Sequence, residues 1–206
     1  MPVTSAEVAR TLLGAHAVLL RPDSPFTFAS GLRSPVYCDN RLLLGDVAAR
    51  RVVAQAFAER VTGAEVLAGP ATGGIPWAAW ASEICGLPMA YVRSEPKAHG
   101  RGQQIEGAPL EGRRVLLLED TVSTGGSVLN AADAVRAAGA ELLGVICIFT
   151  WGWAETDSAF AQRDLPLTPL ATLADLLAVA AEDGALADSQ RAAVEAWAAD
   201  PKGWGK

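Results

Sequence analysis

Residues 115–127 read VLLLEDTVSTGGS, and this stretch decides the fold class. Four apolar residues lead into two acids, Glu119 and Asp120, and then into a loop of Ser, Thr and Gly. An apolar run that ends in a glycine-rich turn before a helix is typical of a strand leading to an anion-binding loop, because the free amides of the turn and of the helix N-terminus point into one space. The acids need a second explanation, since carboxylates repel phosphate.

A ligand that carries hydroxyls as well as a phosphate explains the acids. Neighbouring carboxylates are hydrogen-bond acceptors that fit neighbouring hydroxyls. A ribose 5-phosphate would donate its hydroxyls to Glu119 and Asp120 and place its phosphate in the loop, whose candidates are Thr121, Val122, Ser123, Thr124, Gly125, Gly126 and Ser127. The stretch has neither the Lys of a Walker loop nor the G-x-G-x-x-G of a dinucleotide fold. The alternative is an ordinary capped strand-to-helix turn with exposed acids.

The segments around this stretch alternate between strand and helix patterns. Strands are predicted at 64–69, 88–92, 113–120 and 142–150, and helices at 5–20, 46–61, 74–85, 127–140, 173–182 and 189–199. Residues 26–41 carry the punctuation of a short hairpin. Because the strands are apolar on both faces, the pattern predicts a parallel sheet covered by helices, with a ligand site beyond the carboxyl ends of the strands.

The composition limits the other classes of protein. The chain has 206 residues, half of them hydrophobic, and a formal charge of −6, so it fits one globular domain that repels nucleic acid and anionic membranes. Three cysteines and two histidines offer no zinc constellation. Glu7 and Arg10 interrupt the first apolar stretch, which argues against a signal peptide. Glycines and prolines break the apolar stretch 66–82. We therefore expect a soluble, cytoplasmic protein that binds no nucleic acid and no membrane.

Residues 91–107, YVRSEPKAHGRGQQIEG, form a long connection between two predicted strands. The connection holds Arg93, Lys97, His99 and Arg101 among three glycines, in a chain that is acidic as a whole. This pattern favours a lid that closes over an anion, where cations can neutralise the charge on a departing pyrophosphate. The alternative is an ordinary solvated connection.

Three stretches together resemble one family. The stretch 115–127 resembles the phosphoribosyl pyrophosphate (PRPP) motif of type I phosphoribosyltransferases, with apolar run, acidic pair and small-residue loop in the same order. Residues 91–107 resemble the flexible catalytic loop of the orotate phosphoribosyltransferases, and residues 26–41 resemble the hood segment that covers the pyrimidine in that family. The resemblance runs from about residue 4 to residue 150.

The resemblance implies a fold and a domain organisation. The expected fold is α/β, the type I phosphoribosyltransferase fold, with a central mostly parallel sheet flanked by helices and a small N-terminal hood. The chain would form one domain, with the hood mainly in 1–45, the core in about 46–150 and C-terminal helices in 151–206. The implied reaction is transfer of phosphoribosyl from PRPP to orotate, giving orotidine 5′-monophosphate and pyrophosphate in pyrimidine synthesis.

The resemblance also assigns roles to residues. Lys97, His99 and Asp120 would be catalytic, the first two on the leaving pyrophosphate and Asp120 beside the sugar cation. PRPP would contact Arg93, Lys97, His99, Thr72, Gly73 and the acids and loop of 119–127, and orotate would contact Ser123 and Phe28. Mg²⁺ would be held mainly by the pyrophosphate and the ribose hydroxyls. A homodimer would share the loop 93–107 across its interface.

The sequence departs from the family at several cationic positions. Some members have Lys where this chain has Ala29, Gly73 and Ser94, and TWGWAE after Thr150 offers no Arg for the orotate carboxylate. Trp151 and Trp153 could line the pocket or pack in the core. Two rival functions therefore stay open: a phosphoribosyltransferase for another base, and a PRPP-sensing regulator without catalysis.

Overall fold

The computed structural model of the chain describes residues 1–28, 31–95 and 104–204. In chain order the strands are β1 (Val18–Leu20), β2 (Phe26–Thr27), β3 (Arg33–Ser34), β4 (Val36–Cys38), β5 (Val66–Pro70), β6 (Met89–Val92), β7 (Ile105–Gly107), β8 (Arg114–Val122), β9 (Glu141–Thr150) and β10 (Leu167–Thr172). The α-helices are α1 (Ser5–Gly14), α2 (Val47–Ala58), α3 (Gly74–Cys85), α4 (Gly126–Ala137), α5 (Ala154–Ala161), α6 (Leu173–Glu182) and α7 (Asp188–Ala199), and a 3₁₀ helix spans Asn40–Leu44.

The central sheet confirms the predicted fold class. Within the described ranges its strands lie in the order β10-β9-β8-β5-β6-β7, and every neighbouring pair is parallel except β6 with β7. Strand β8, which carries the acidic pair, therefore lies in the middle of the sheet with β5 on one side and β9 on the other. The carboxyl ends of these parallel strands meet at one edge, where ligands bind in open α/β sheets.

Both faces of the sheet are buried, as the continuous apolar runs predict. Side chains alternate along a strand, so Leu116 and Leu118 face one cluster while Val115 and Leu117 face the other. The first cluster also takes buried residues of α1, α2, α3, α6 and α7. The second takes those of α4 together with Phe160 of α5. The two helical layers hold the central strands rigidly, which fixes the positions of the loops that follow them.

The N-terminal hood contains two small strand pairs. Strand β2 pairs antiparallel with β3, as the hairpin prediction required, and β1 pairs antiparallel with β4. The first helix is shorter than predicted: α1 ends at Gly14, and His16 adopts a positive φ of 56° in the turn that leads into β1. Apolar residues at 17–20 therefore belong to a strand rather than to the helix, because the chain reverses direction between them.

The C-terminal part contains elements that the sequence pattern did not predict. Strand β10 adds a parallel edge strand to the sheet beside β9, and α5 packs Phe160 into the core. Helix α6 packs against α1, where Arg10 pairs with Glu182 and Asp183. Trp151 and Trp153 stack with ring centroids 5.6 Å apart and both pack edge-on against Trp197 of α7, so these two half-buried tryptophans pack against the core.

Candidate active site

The acidic pair lies where β8 reaches the carboxyl edge of the sheet. Glu119 is 6% exposed, and its Oε1 accepts a hydrogen bond from the Asp120 amide at 2.9 Å. Burial away from water raises the pKa of Glu119, and the negative charge of Asp120 raises it further. The Glu119 carboxyl therefore keeps its proton to a higher pH than an exposed glutamate, and hydrogen bonds from hydroxyl groups would stabilise it.

Asp120 is the more open member of the pair. Its Oδ1 accepts a hydrogen bond from the Thr121 amide at 2.6 Å, which fixes the orientation of the carboxylate. Gly73 lies directly against this carboxylate: a Cβ added at Gly73 would come within 2.8 Å of Oδ1 and overlap the other carboxylate atoms. The loop after β5 can thus approach the acidic pair only because position 73 has no side chain.

The loop after β8 presents backbone rather than side chains at several positions. Val122 is buried in the core, so only its backbone can face a ligand. Gly125 adopts a positive φ of 86° immediately before α4, and an added Cβ would meet Phe160 at 2.9 Å. Ser123, Thr124 and Ser127 are exposed at the loop surface. The first turn of α4 has no side-chain cap, so its amides stay free for an anion.

Helix α5 supports this loop from behind. The Thr156 hydroxyl, on a residue that is 1% exposed, donates to the Ser123 carbonyl, and Phe160 closes the space beside Gly125. Sequence reasoning missed both residues, because α5 has no clear apolar periodicity. The loop conformation therefore depends on a helix that begins about thirty residues later in the chain.

A cavity of about 120 Å³ joins the other predicted site residues. It is lined by Pro70, Ala71, Val92, Arg93, Ser94, Gln104, Ser127, Asn130 and Ala131. Arg93 is half-buried, with its guanidinium 4.0 Å from Glu106, and its backbone pairs with Gln104. Thr72 is exposed at the rim of the same edge, after a cis peptide bond between Ala71 and Thr72. The structure thus brings Arg93, the loop after β5 and the start of α4 together.

Phe28 is the remaining predicted site residue within the described ranges. Lys97 and His99, like Arg101 and Ala29, fall outside the described residues. Phe28 is 39% exposed on the hood, and its amide donates to the Leu32 carbonyl at the turn of the hairpin.

Asn40 is a site residue that sequence reasoning missed altogether. It is 2% exposed, and its amide nitrogen donates to the Asp120 carbonyl at 3.1 Å and to the Thr121 hydroxyl at 2.9 Å. Its neighbour Cys38 places its sulfur 3.9 Å from the same hydroxyl, and burial raises the pKa of this thiol to about 12. A single asparagine in CDNR carries no sequence pattern that indicates contact with a strand eighty residues away.

The described residues form neither a cluster of metal-ligating side chains nor a membrane-spanning helix. They contain no cluster of three or more His, Cys, Asp and Glu side chains suited to hold a metal ion. Within the same ranges, no helix combines the length and the apolar character needed to cross a bilayer.

A parallel sheet with an acidic strand end and an uncapped helix behind a glycine loop defines a phosphoribosyltransferase, and the family model described as "Phosphoribosyl transferase domain" matches residues 44–161. The chain is 47% identical to an orotate phosphoribosyltransferase of Bacillus subtilis over 205 residues, covering 97% of this chain and 95% of that protein. The chain belongs to the orotate phosphoribosyltransferases.

Solved structures support the same assignment. The crystal structure of orotate phosphoribosyltransferase from Aeropyrum pernix matches with a TM-score of 0.69 and 29% identity, covering 86% of this chain and 98% of that chain. The Mycobacterium tuberculosis orotate phosphoribosyltransferase in complex with PRPP matches with a TM-score of 0.67 and 27% identity, covering 84% and 98% of the two chains. Both the fold prediction and the family resemblance are confirmed.

Proposed function

We propose that the edge formed by β5, β8 and α4 is the site at which this enzyme transfers phosphoribosyl from PRPP to orotate. The observation that carries the proposal is the acidic pair directly before an uncapped helix, in a chain that matches orotate phosphoribosyltransferases over almost its whole length. The ring nitrogen of orotate attacks C1 of the ribose. The bond from C1 to the pyrophosphate oxygen breaks, pyrophosphate leaves with the bonding electrons, and the attacking nitrogen releases its proton.

The acidic pair holds the sugar. Hydroxyl groups of the ribose donate to Glu119 and Asp120, and these hydrogen bonds would offset the burial that raises the pKa of Glu119. Asp120, oriented by the Thr121 amide, provides the negative charge that stabilises an oxocarbenium-like transition state. Removing either carboxylate is therefore expected to weaken both PRPP binding and catalysis.

The phosphates occupy the two strand-end loops. The 5-phosphate is bound by the backbone amides and hydroxyls of residues 121–127, as the free first turn of α4 permits. The pyrophosphate lies beside Thr72 and Gly73, where the first turn of α3 also lacks a side-chain cap. Arg93 lines the cavity next to this loop, and with Lys97 and His99 it neutralises the charge that develops on the leaving group.

The donor set at the acidic pair fits Mg²⁺ as a cofactor. Mg²⁺ prefers one or two carboxylates together with substrate phosphates and water, and the described edge offers two adjacent carboxylates rather than a closed protein cage. When bound, the ion would polarise the pyrophosphate and lower the barrier to its departure. Glu119 and Asp120 would orient the ribose hydroxyls that bind the ion.

The assembly and the compartment complete the proposal. The active form is a homodimer in which the loop 93–107 reaches the neighbouring subunit, and the enzyme works in the cytoplasm. Mixing a Lys97→Ala chain with an Asp120→Ala chain tests the shared loop. Activity that returns in the mixed dimers supports a loop acting in trans, and mixtures that stay inactive disprove it.

The first experiment follows the loss of orotate absorbance with PRPP and Mg²⁺. Wild type should consume orotate only when PRPP is present, and Lys97→Ala should lose about a hundredfold or more in kcat because leaving-group stabilisation is lost. Lys202→Ala is a matched control, since Lys202 is exposed near the C-terminus. Wild type that binds PRPP but leaves orotate untouched would refute the orotate assignment, and hypoxanthine, adenine and uracil would be tested next.

A further inference from the structure

Asn40 joins the hood to the acidic end of β8 through both hydrogens of its side-chain amide. One goes to the Asp120 carbonyl at 3.1 Å and the other to the Thr121 hydroxyl at 2.9 Å. The opposite orientation of the amide would set Oδ1 against the Asp120 carbonyl, and two acceptors repel. The contacts with β8 therefore fix which way the Asn40 amide points.

This arrangement leaves the other half of the amide unsatisfied. Asn40 is 2% exposed, and its Oδ1 has no hydrogen-bond partner among the described residues. A buried acceptor without a partner lowers the stability of the folded state. An apolar residue of the same shape would avoid that loss only by giving up both hydrogen bonds to β8, so the asparagine is explained by what it holds on that strand.

One of the two groups that Asn40 contacts, the Asp120 carbonyl, belongs to the peptide that orients the catalytic carboxylate, and the other is the side-chain hydroxyl of Thr121. The Thr121 amide donates to Asp120 Oδ1 at 2.6 Å, and Asn40 holds the carbonyl of that same peptide unit. The Thr121 hydroxyl accepts from Asn40 and also lies 3.9 Å from the Cys38 sulfur, where either group can be the donor. Asn40 thereby constrains both the plane of the peptide and the direction of the hydroxyl at the place where the sugar is bound.

The segment that carries Asn40 has anchors of its own. Cys38 pairs with Val18 in the small sheet of the hood, the Asp39 amide donates to the Ala17 carbonyl at 2.7 Å, and Leu43 is fully buried. The strand pairing of Cys38 with Val18 and the hydrogen bond from Asp39 to Ala17 do not involve β8. Loss of the Asn40 amide should therefore leave the segment in place while it releases the end of β8.

We propose that Asn40 is a positioning residue that holds Asp120 and Thr121 in the geometry that binds the ribose of PRPP. The inference rests on the proposed function, because it assigns the sugar to this strand end. It predicts that loss of the amide weakens the binding of PRPP selectively, while the affinity for orotate changes little.

The test compares Asn40→Leu, which keeps the shape and removes the donors, with Ser34→Ala. Ser34 is fully buried in the hood, and its hydroxyl donates to the Val36 carbonyl, so its loss removes a buried hydrogen bond remote from β8. Steady-state kinetics and calorimetric PRPP binding are measured for both variants. Asn40→Leu should raise the KM and the Kd for PRPP at least about fivefold, as expected for two lost hydrogen bonds, with the KM for orotate within about twofold.

Two results would overturn the inference. One is a PRPP affinity for Asn40→Leu equal to that of Ser34→Ala. The other is an equal rise in both KM values together with a lower Tm, which would indicate a structural role only. Adding Thr121→Val to Asn40→Leu gives a further test, since residues that act through one another have non-additive effects on PRPP affinity. Additive effects would contradict a role that runs through Thr121.

Direct PRPP binding separates this inference from the proposed function. If wild type binds PRPP without consuming orotate, the orotate assignment fails while the comparison of Asn40→Leu with Ser34→Ala still decides the positioning role. If wild type does not bind PRPP at all, both are refuted.

Discussion

Two loops at neighbouring strand ends, residues 71–73 after β5 and 123–125 after β8, both lead into helices whose first turns have no side-chain cap. By contrast, Thr4, Asp46 and Thr172 cap the helices α1, α2 and α6 with their own side chains. An uncapped helix start leaves amide donors free for an anion. The two loops therefore both offer free amide donors, and they lie side by side on the sheet.

The two loops differ in what precedes them and in what shapes them. The loop after β8 follows Glu119 and Asp120, whereas β5 ends in the uncharged sequence AGP. A phosphate attached to a polyol needs acceptors beside the amides, and a pyrophosphate needs only donors. The loop after β5 is shaped by its close approach to Asp120, and the loop after β8 by the left-handed backbone of Gly125. Under the proposed function, the acidic pair would distinguish a sugar-phosphate site from a pyrophosphate site.

The largest expected loss of activity comes from adding a side chain at Gly73, in the loop after β5. Gly73→Ala places a Cβ on the Asp120 carboxylate, so either the loop or the acid must move. A displacement of about 1 Å at reacting groups costs on the order of a hundredfold in rate, and we expect that loss in kcat/KM for PRPP. Gly14→Ala is the control, because an added Cβ there meets nothing within 4 Å. A Gly73→Ala enzyme within about threefold of wild type would show that the loops need no close contact.

The loop after β8 should respond to Gly125→Ala through its backbone. The positive φ of 86° costs an L-residue about 1–2 kcal/mol, and the new Cβ also meets Phe160. Unfolding in denaturant measures the total. Gly184→Ala has a similar φ of 70° with open space around the Cβ, so it isolates the backbone contribution. Equal losses of stability in the two variants would mean that Phe160 moves aside at no cost in free energy and does not shape the loop.

The acidic pair can be tested by the pH dependence of stability. Because burial raises the pKa of Glu119, the folded chain binds its proton more tightly than the unfolded chain, and stability should fall as pH rises from the ordinary carboxyl range through the raised pKa. Titration of one proton changes the free energy of unfolding by at most about 1.4 kcal/mol per pH unit. Glu119→Gln should remove this slope and be more stable than wild type above the raised pKa. Parallel stability curves for both proteins without ligand would contradict a buried, titrating Glu119.

The smallest effect is expected from the support behind the loop. Thr156→Val removes the hydroxyl that donates to the Ser123 carbonyl, for a loss of about 1 kcal/mol in the free energy of unfolding and a modest rise in the KM for PRPP. Ser158→Ala, at an exposed position of the same helix, should change neither quantity. An unchanged KM with lowered stability would show that α5 supports the fold without shaping the phosphate loop.

The sequence predicts the centre of this molecule better than its edges. Strand β8 and helix α4 follow from a buried apolar run and from helical periodicity, because both faces of the strand and one face of the helix are covered. Strand β10 was missed because Pro169 interrupts it, and proline is tolerated in a sheet only at positions such as this edge strand. The continuation of α1 to residue 20 was wrong because a chain reversal at His16 leaves no trace in hydrophobic spacing.

The candidate site divides in the same way. Glu119 and Asp120 were predicted from chemistry, because adjacent acids before a phosphate loop favour a hydroxyl ligand, and their role stays a prediction. Asn40 and Thr156 were not found, since each acts through a contact with a backbone carbonyl far along the chain. Tertiary contacts of single polar side chains have no period and no local composition. The roles of Lys97 and His99 stay predictions, as these residues lie outside the described ranges.

The packing of α1 against α6 and β10 has a consequence for how the chain is made on the ribosome. During synthesis the strands β5, β8 and β9 and the acidic pair emerge well before residues 167–182. Until those residues leave the exit tunnel, α1 has no partner for the face that packs on them, and the sheet ends at an open β9. The nascent enzyme thus has a sheet with an unpaired edge strand for several seconds, at a synthesis rate of about 5–20 residues per second. In that interval the open edge of β9 can pair with another chain, which is a contact that a chaperone would prevent.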